Sequence, residues 1–272
     1  MTMTDEFGAG AEGVWSGPSL ELAFCLEPWD RIALGWASAV ISAIRIRDTS
    51  GAVSEFARFR SWCASHAVRL VSCRLSQDQL AECSFLESLG FRFIELNYRP
   101  VLTRLAGFTI DPGLLIQTAE VGDLAEIGSA SGRIQTGRFH ADPQIGPAIG
   151  DRRYAAWLPN AFRNPAQTVL KVLHAGQIVA VMVVEAPALE RRFWSLGLLT
   201  GPPSNGIGTR VWSAVLAQHH AEGVVEVSTS ISSHNVAVHN LYAKLGFRFP
   251  APTIVLHWCP NGRLTQPGPP GH

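Results

Sequence analysis

The sequence predicts an α/β protein in which a smaller α/β domain precedes a larger domain built on a mixed β-sheet. Helix-like and strand-like segments alternate along most of the 272 residues. Hydrophobic residues make up 47% of the chain and charged residues 16%, which is typical of a globular protein with a sizeable core. A stretch with two glycines and a proline, residues 106–113, separates the two predicted domains.

The first predicted domain spans residues 19–105 and alternates between helices and strands. Aromatic residues recur at helical spacing after Ser54, a good N-cap residue, and a later helical pattern stops at Gly90. The predicted elements are a helix at 54–64, a strand at 68–73, a helix at 77–89 and a strand at 91–102. Residues 1–18 and 260–272 are predicted to be flexible tails.

The second predicted domain spans residues 113–258 and supplies the mixed sheet. Ala175 and Gly176 form a turn signal between two apolar runs, so we predict a β-hairpin there. The predicted elements are a strand at 116–120, helices from Asp123 and at 151–163, strands at 167–173, 178–185 and 193–199, and a final helix, strand, helix and strand.

Charge and cysteine content narrow the classes of partner. Lys+Arg and Asp+Glu both number 22, so the formal net charge is zero and no basic excess points to nucleic acid or to a membrane surface. The five cysteines have neither a C-x-x-C pair nor the spacing of metal ligands. We therefore expect a cytoplasmic protein without a metal, whose sequence is compatible with a homodimer.

Two glycines mark a candidate phosphate site. Gly206 and Gly208 stand where the strand at 193–199 gives way to a helix. Glycine lets the backbone approach a ligand closely, and a helix N-terminus presents unpaired N–H groups to phosphate oxygens. A tight strand-to-helix turn with no ligand is the alternative interpretation.

A tyrosine follows downstream at a position suited to chemistry. Tyr242 lies seven residues after Asn235 and four before Gly246, on a helix that stops at this glycine. A phenol can protonate a leaving group within hydrogen-bond reach. The alternatives are a packed core tyrosine, and an Asn235 that only caps the helix. Trp194 and Trp212 are interpreted as core residues.

The order of these motifs resembles the GNAT acyltransferases, which use acetyl-coenzyme A. The resemblance covers about residues 113–258 and includes both glycines of the family turn, although Pro203 replaces the usual Gln or Arg. It implies that Leu198 and Leu199 offer backbone groups to the pantetheine arm, that Asn235 lies near the cofactor, and that Tyr242 is the general acid. The implied pyrophosphate cradle is Ser204, Asn205, Gly206, Ile207, Gly208 and Thr209.

A narrower resemblance, to the dTDP-fucosamine acetyltransferase type, covers about residues 28–258. It rests on Trp29-Asp30, on Leu89-Gly90-Phe91, and on two segments, Gly137-Arg138-Phe139-His140 and Arg153-Tyr154-Ala155-Ala156-Trp157. It implies that the acceptor amine belongs to a nucleotide-linked sugar, contacted by Arg138, His140, Arg153 and Tyr154. Forked arginines bind pyrophosphate well, and an ordinary salt-bridged surface is the alternative.

The predicted function is therefore transfer of an acetyl group from acetyl-coenzyme A to a primary amine of a small molecule. His140 and Glu185 are both candidates for accepting the amine proton. The alternatives are a GNAT enzyme for another amine, such as an amino acid, antibiotic or protein N-terminus, and a non-catalytic acyl-coenzyme A-binding module. Residues 85–93 and 241–249 share Leu-Gly-Phe-Arg-Phe, which indicates either a recurrent helix stop or a first domain that copies part of the GNAT sheet without its cofactor site.

Overall fold

The computed structural model describes residues 12–131, 137–201 and 206–264. Over these residues the strands are β1 Glu12–Ser16, β2 Leu20–Leu26, β3 Ala37–Ile46, β4 Val68–Ser76, β5 Arg92–Tyr98, β6 Val101–Leu102, β7 Leu114–Thr118, β8 Gln167–His174, β9 Gln177–Ala188, β10 Arg191–Leu199, β11 Glu226–Thr229, β12 Ile231–Ser232 and β13 Thr253–Trp258.

The same residues form eight α-helices. These are α1 Pro28–Leu34, α2 Thr49–Ser65, α3 Leu80–Ser88, α4 Leu124–Ser131, α5 Arg138–Ala141, α6 Pro147–Ala161, α7 Ile207–Ala221 and α8 Val236–Lys244. A 3₁₀ turn, Val121–Asp123, precedes α4. Within the described ranges, no helix combines the length and apolar character that a membrane crossing requires.

The chain divides into two compact units, each assembled from separate segments. Of the described residues, unit 1 contains 12–97, 137–153 and 251–264, and unit 2 contains 98–131, 154–201 and 206–250. The sequence predicted contiguous domains instead, because local patterns do not reveal that the last strand, β13, pairs with both β4 and β5 of unit 1.

Unit 1 is built on a mixed sheet with the strand order β1-β2-β3-β4-β13-β5. Strands β3 and β4 are parallel, but their pairing is confined to Ala37–Ile41 against Val68–Cys73. Buried aromatic side chains pack on the sheet, among them Phe24, Phe56 and Phe59. Part of the predicted N-terminal tail is therefore a strand, since β1 pairs with β2 over its whole length.

Unit 2 is built on a second mixed sheet with the order β6-β11-β10-β9-β8-β7. Alternate residues of β9 enter different cores, because successive side chains of a strand point to opposite faces. Met182 and Val184 pack with α7 and α8, whereas Val181 and Val183 pack with α4 and α6. Helices thus cover both faces, and the prediction of a mixed α/β sheet is confirmed.

Two predicted boundaries are wrong for local reasons. Helix α2 begins at Thr49, and its N-cap is Asp48, six residues before the predicted cap at Ser54, because the Asp48 carboxylate accepts the N–H of Gly51. The strand predicted over 91–102 breaks into β5 and β6 around Pro100, which has no N–H for a ladder.

The two Leu-Gly-Phe segments have the same local structure. After α3, the N–H of Phe91 bonds to the carbonyl of Leu86, and after α8 the N–H of Phe247 bonds to the carbonyl of Tyr242. The glycine in each turn is left-handed, with φ of 98° at Gly90 and 84° at Gly246. Leu86 thus occupies in unit 1 the position that Tyr242 occupies in unit 2.

Candidate active site in unit 2

Strand β11 ends at Thr229 while its neighbour β10 continues to Leu199, which leaves a gap beside β10 at one end of the sheet. Their parallel pairing covers only Arg191–Trp194, whereas β10 pairs with β9 as far as Leu199. The register of β10 shifts between Trp194 and Leu196, which indicates a bulge that bends the strand. No described strand pairs with residues 195–199 on the side that β11 leaves, so backbone groups there are available to a ligand.

The closed end of the gap is held by hydrogen bonds around Trp194. The hydroxyl of Thr229, the last residue of β11, donates to the carbonyl of Trp194 at 2.7 Å. The indole Nε1 of Trp194 donates to Nε2 of His219 at 3.1 Å, and the indole is only 1% exposed. The end of the β10–β11 pairing is therefore fixed by side-chain hydrogen bonds as well as by the ladder.

Helix α7 follows β10 in the chain, and no side chain of the described residues caps its N-terminus. Its N-cap is Gly206, in the left-handed conformation with φ 72° and without a side-chain capping bond. A Cβ at Gly206 would have no atom within 4 Å, and one at Gly208 would come no closer than 3.7 Å, to Leu199. Among the described residues the first-turn N–H groups of this helix therefore have no side-chain cap, and N–H groups at a helix N-terminus suit anions in general.

The predicted cradle residues divide between described and undescribed parts of the chain. Gly206 is the N-cap of α7, and Ile207, Gly208 and Thr209 form its first turn. Ser204 and Asn205, with Pro203, lie outside the described residues. Leu198 and Leu199 lie in the part of β10 beyond its pairing with β11, as the predicted pantetheine contacts require.

A salt bridge lies on the first turns of α7. Nε of Arg210 bonds to a carboxylate oxygen of Asp111 at 2.7 Å. The hydrogen bond from Arg210 holds the pKa of Asp111 below its usual value. Because this arginine is already paired, its charge is partly compensated before any phosphate binds.

Tyr242 lies in the core between the sheet and helices α7 and α8. Its side chain is 3% exposed, and Nε1 of Trp212 donates to its hydroxyl oxygen at 3.4 Å. Burial raises the pKa of the phenol, against the lowering effect of hydrogen bonds with Trp212 and Thr229. The phenol is therefore protonated at neutral pH, and its oxygen lies near Thr229, where the β10–β11 pairing ends.

Trp212 packs directly against the part of β10 beyond its pairing with β11. A Cβ at Gly197 would lie 2.7 Å from Cζ2 of the Trp212 ring, so only glycine fits there without displacing it. Trp194 and Trp212 are core residues, as predicted. The contact between Trp212 and Gly197 was not predicted, although an isolated glycine inside a strand is a known sign of close approach.

Asn235 and Glu185 both have protein partners. Asn235 is the N-cap of α8, and its side-chain oxygen accepts the N–H of Val238 at 3.2 Å, so the capping interpretation is confirmed. Glu185 lies on β9 opposite Phe193 and accepts a hydrogen bond from Gln167 at 2.7 Å.

Three of the four predicted acceptor contacts belong to unit 1 and surround Phe139. The guanidinium of Arg153 lies 4.5 Å from the Phe139 ring centroid and that of Arg138 lies 5.2 Å away. His140 bonds through Nε2 to Asp151 at 3.0 Å. The fourth residue, Tyr154, belongs to unit 2, where its ring contacts Trp157.

Arg153 has a buried partner that sequence reasoning did not assign. Its Nε donates to Asp30 at 2.7 Å, and Asp30 also accepts the hydroxyl of Ser38. Burial alone would raise the pKa of Asp30, but Arg153 and Ser38 hold it below the usual value. The early Trp-Asp motif and the later Arg-Tyr motif thus meet in a buried ion pair.

A second buried pair, also unpredicted, joins α5 to β13. Nδ1 of His257 bonds to a carboxylate oxygen of Asp142 at 2.7 Å, and both side chains are fully buried. Burial lowers the pKa of His257 despite this carboxylate, so the imidazole is neutral near pH 7.

Comparison with known proteins gives structural matches only. No family model and no curated protein matches the chain. A tandem GNAT protein from the clavulanic acid biosynthesis pathway matches with a TM-score of 0.59 and 13% identity, over 94% of this chain and 85% of its own. The fold is a tandem GNAT fold.

Two further solved structures, both GCN5-related N-acetyltransferases, match the fold. A GCN5-related N-acetyltransferase from Sphaerobacter thermophilus matches with a TM-score of 0.60 and 14% identity, over 94% of this chain and 84% of its own. One from Kribbella flavida matches with a TM-score of 0.56 and 16% identity, over 95% and 91%. Matches at such low identity establish the fold alone, so the substrate has to be inferred from the residues of the site.

Proposed function

We propose that this protein is an N-acetyltransferase that moves the acetyl group of acetyl-coenzyme A to a primary amine. One observation carries the proposal: in unit 2 the strand that borders the gap, β10, leads to the uncapped N-terminus of α7. A free strand edge can bind the amide groups of an extended arm, and the helix N-terminus that follows it in the chain can bind a pyrophosphate. Together they suit a ligand that has both parts. The GNAT fold supports the same ligand.

The backbone supplies most of the proposed cofactor contacts. The pyrophosphate binds the first-turn N–H groups of α7, where Gly206 and Gly208 leave room for it. The pantetheine arm lies along Leu198 and Leu199, whose backbone groups replace the missing partner strand. An N–H near the bulge of β10 stabilises the negative charge that develops on the thioester oxygen.

Tyr242 is the proposed general acid. The amine nitrogen bonds to the acetyl carbon and the carbon–sulfur bond breaks. The departing sulfur takes the phenolic proton of Tyr242, and the nitrogen gives its own proton to solvent. Burial keeps the phenol protonated, and Trp212 acts as a donor to its oxygen, so the phenolic proton is not used in that bond. Solvent then restores the proton to Tyr242.

We propose a nucleotide-linked amino sugar as the acceptor, with Arg138, His140, Arg153 and Tyr154 as its contacts. Support comes from the sequence resemblance and from the two guanidinium groups beside Phe139. The bond from Arg153 to Asp30 limits what this arginine can offer, because one face of its fork is already occupied.

A cytoplasmic location is also proposed, from the state of the cysteines. All five are free thiols. Burial raises the pKa values of Cys63 and Cys259 to about 12, which keeps these thiols unreactive. Free thiols of this kind suit a reducing compartment.

The cofactor site is tested by two substitutions at Gly206. Gly206→Asp places a negative charge where the phosphates bind, whereas Gly206→Asn is nearly the same size and equally able to adopt a positive φ. Calorimetry with coenzyme A should show binding weakened at least about tenfold more by Asp than by Asn. Unchanged affinity in a folded Gly206→Asp variant would place the cofactor elsewhere.

The acceptor is tested by measuring thiol release from acetyl-coenzyme A with several classes of amine. A nucleotide-linked amino sugar should turn over fastest and should also raise the melting temperature of the protein. Faster turnover with amino acids, aminoglycosides or peptides would reassign the acceptor. Tight coenzyme A binding with no thiol release on any amine would favour the non-catalytic module.

A further inference from the structure

A surface cleft of about 290 Å³ opens in unit 1. It is lined by Arg92 at the start of β5, Pro143 and Gln144 after α5, and Gly262 and Arg263 after β13. Three segments that are far apart in sequence thus contribute to one concave surface. None of these residues takes part in the proposed coenzyme A site.

The walls of the cleft are held by backbone hydrogen bonds. The N–H of Leu264 donates to the carbonyl of Gln144, and the N–H of Gly146 donates to the carbonyl of Leu264, both at 2.7 Å. The N–H of Gln144 donates to a carboxylate oxygen of Asp142, also at 2.7 Å. Because both sides are tied together, the cleft exists before a ligand arrives.

The cleft carries positive charge without a counter-charge. Arg92 and Arg263 are exposed, and neither has an ion pair among the described residues. No lining residue is acidic. Asp142 adjoins the wall in sequence, but its carboxylate is fully buried and bonds to His257 and to the backbone of Gln144. Two like charges line the cleft, and a bound anion would offset their repulsion.

We propose that this cleft binds the phosphate group of a small molecule. Two guanidinium groups match the two negative charges of a phosphate, whereas a single carboxylate would neutralise only one of them. The Nε2 atom of Gln144 has no hydrogen-bond partner among the described residues, so its amide can rotate toward the anion without losing a bond. The volume suits one phosphate group and a small attached portion, because whole ligands of drug size fill about 300–1,000 Å³.

Calorimetry with inorganic phosphate and with diphosphate at low ionic strength tests the proposal. The double variant Arg92→Gln/Arg263→Gln should bind at least about tenfold more weakly than the unaltered protein, since charge-assisted hydrogen bonds are lost. The matched control is Arg31→Gln/Arg104→Gln, which removes two exposed arginines outside the cleft and should bind normally. Binding should also weaken as salt is added.

Three outcomes would overturn the site. These are no saturable binding by the unaltered protein, an equal loss in the control variant, and a loss caused by Gly206→Asp but not by the cleft substitutions. The last outcome would place phosphate at α7 instead. If the cleft binds no phosphate, the prediction of coenzyme A binding at α7 is unchanged, so this inference and the proposed function are tested separately.

Discussion

At the level of single residues, the hydroxyl of Tyr242 has two hydrogen-bonding neighbours in the core of unit 2. Trp212 donates to it, and Thr229, at the end of β11, is its second hydrogen-bonding neighbour. Thr229 in turn donates to the carbonyl of Trp194, which is the last residue of β10 that pairs with β11. The Tyr242 side chain can therefore be buried in the core and still place its hydroxyl beside the gap.

Replacing Tyr242 with Phe should slow the chemical step and leave cofactor binding nearly intact. General acids contribute about 10²–10⁴-fold to rate, so kcat should fall by that factor with little change in the KM for acetyl-coenzyme A. Steady-state kinetics with the best amine found by the screen measures this. A folded variant with the original kcat would show that solvent or another group protonates the thiolate.

Two buried histidines should make the protein less stable in mild acid. Burial holds the pKa values of His219 and His257 below the value of about 6.5 that they have when unfolded. The unfolded chain therefore binds more protons as pH falls below about 6.5, and the free energy of unfolding decreases in that range. At higher pH both states are neutral and the stability from this source is complete.

Urea unfolding at pH 7.5 and pH 5.5 measures the effect of the histidines. The midpoint should be lower at pH 5.5, and His219→Gln should reduce the difference, because glutamine can still accept the Trp194 bond without titrating. Equal midpoints at the two pH values would show that neither histidine is held neutral.

At the level of elements, the packing of α7 on β10 depends on Gly197. The added methyl of Gly197→Ala would lie 2.7 Å from the Trp212 ring, which is buried and has little room to move. Overpacking of this kind costs about 1–3 kcal/mol of the free energy of unfolding, measured by urea titration.

A second substitution separates overpacking from other causes. Trp212→Leu should lower the free energy of unfolding less in the Gly197→Ala background than in the unaltered protein, because the smaller side chain removes the clash. Gly128→Ala is a matched control in α4, where a Cβ meets nothing within 4 Å and should not destabilise. If the two substitutions lowered the free energy of unfolding additively, the predicted clash between residue 197 and Trp212 would be contradicted.

At the level of the whole molecule, unit 1 also has a parallel strand pair whose pairing ends early, but it fills its own gap. The amide of Gln79 donates to the carbonyl of Ile44 at 3.3 Å, and Glu82 accepts the N–H of Ile46 at 3.4 Å. Ile44 and Ile46 belong to the part of β3 after Ile41, where β3 no longer pairs with β4. Asp48 places a carboxylate on the N-terminus of α2, where a phosphate would otherwise bind.

One coenzyme A per chain is the expected stoichiometry. Side chains of unit 1 occupy the strand edge and the helix end that unit 2 leaves open, so only unit 2 should bind. Calorimetric titration should give one site, and Gly206→Asp should remove it. Two sites, or substantial binding left in that variant, would show that unit 1 also takes the cofactor.

Local sequence signals predicted much of the fold and the centre of the candidate site. Ala175 and Gly176 have φ of 50° and 80°, as a tight hairpin between β8 and β9 requires. Gly206 ends the loop before α7, and Asn235 caps α8. The start of α2 was misplaced because Asp48 and Ser54 are both good caps, and only the contacts of the folded chain select one.

The sequence by itself determined where helices stop, where the hairpin turns and where glycine opens a helix end, because these depend on residues within a few positions of one another. The tertiary structure decided that β13 belongs to unit 1, that Arg153 bonds to Asp30 across 123 residues, and that His257 bonds to Asp142 across 115. It also decided that unit 1 fills its own gap. Contacts over such separations arise from burial and charge pairing in the packed chain, and no local pattern encodes them.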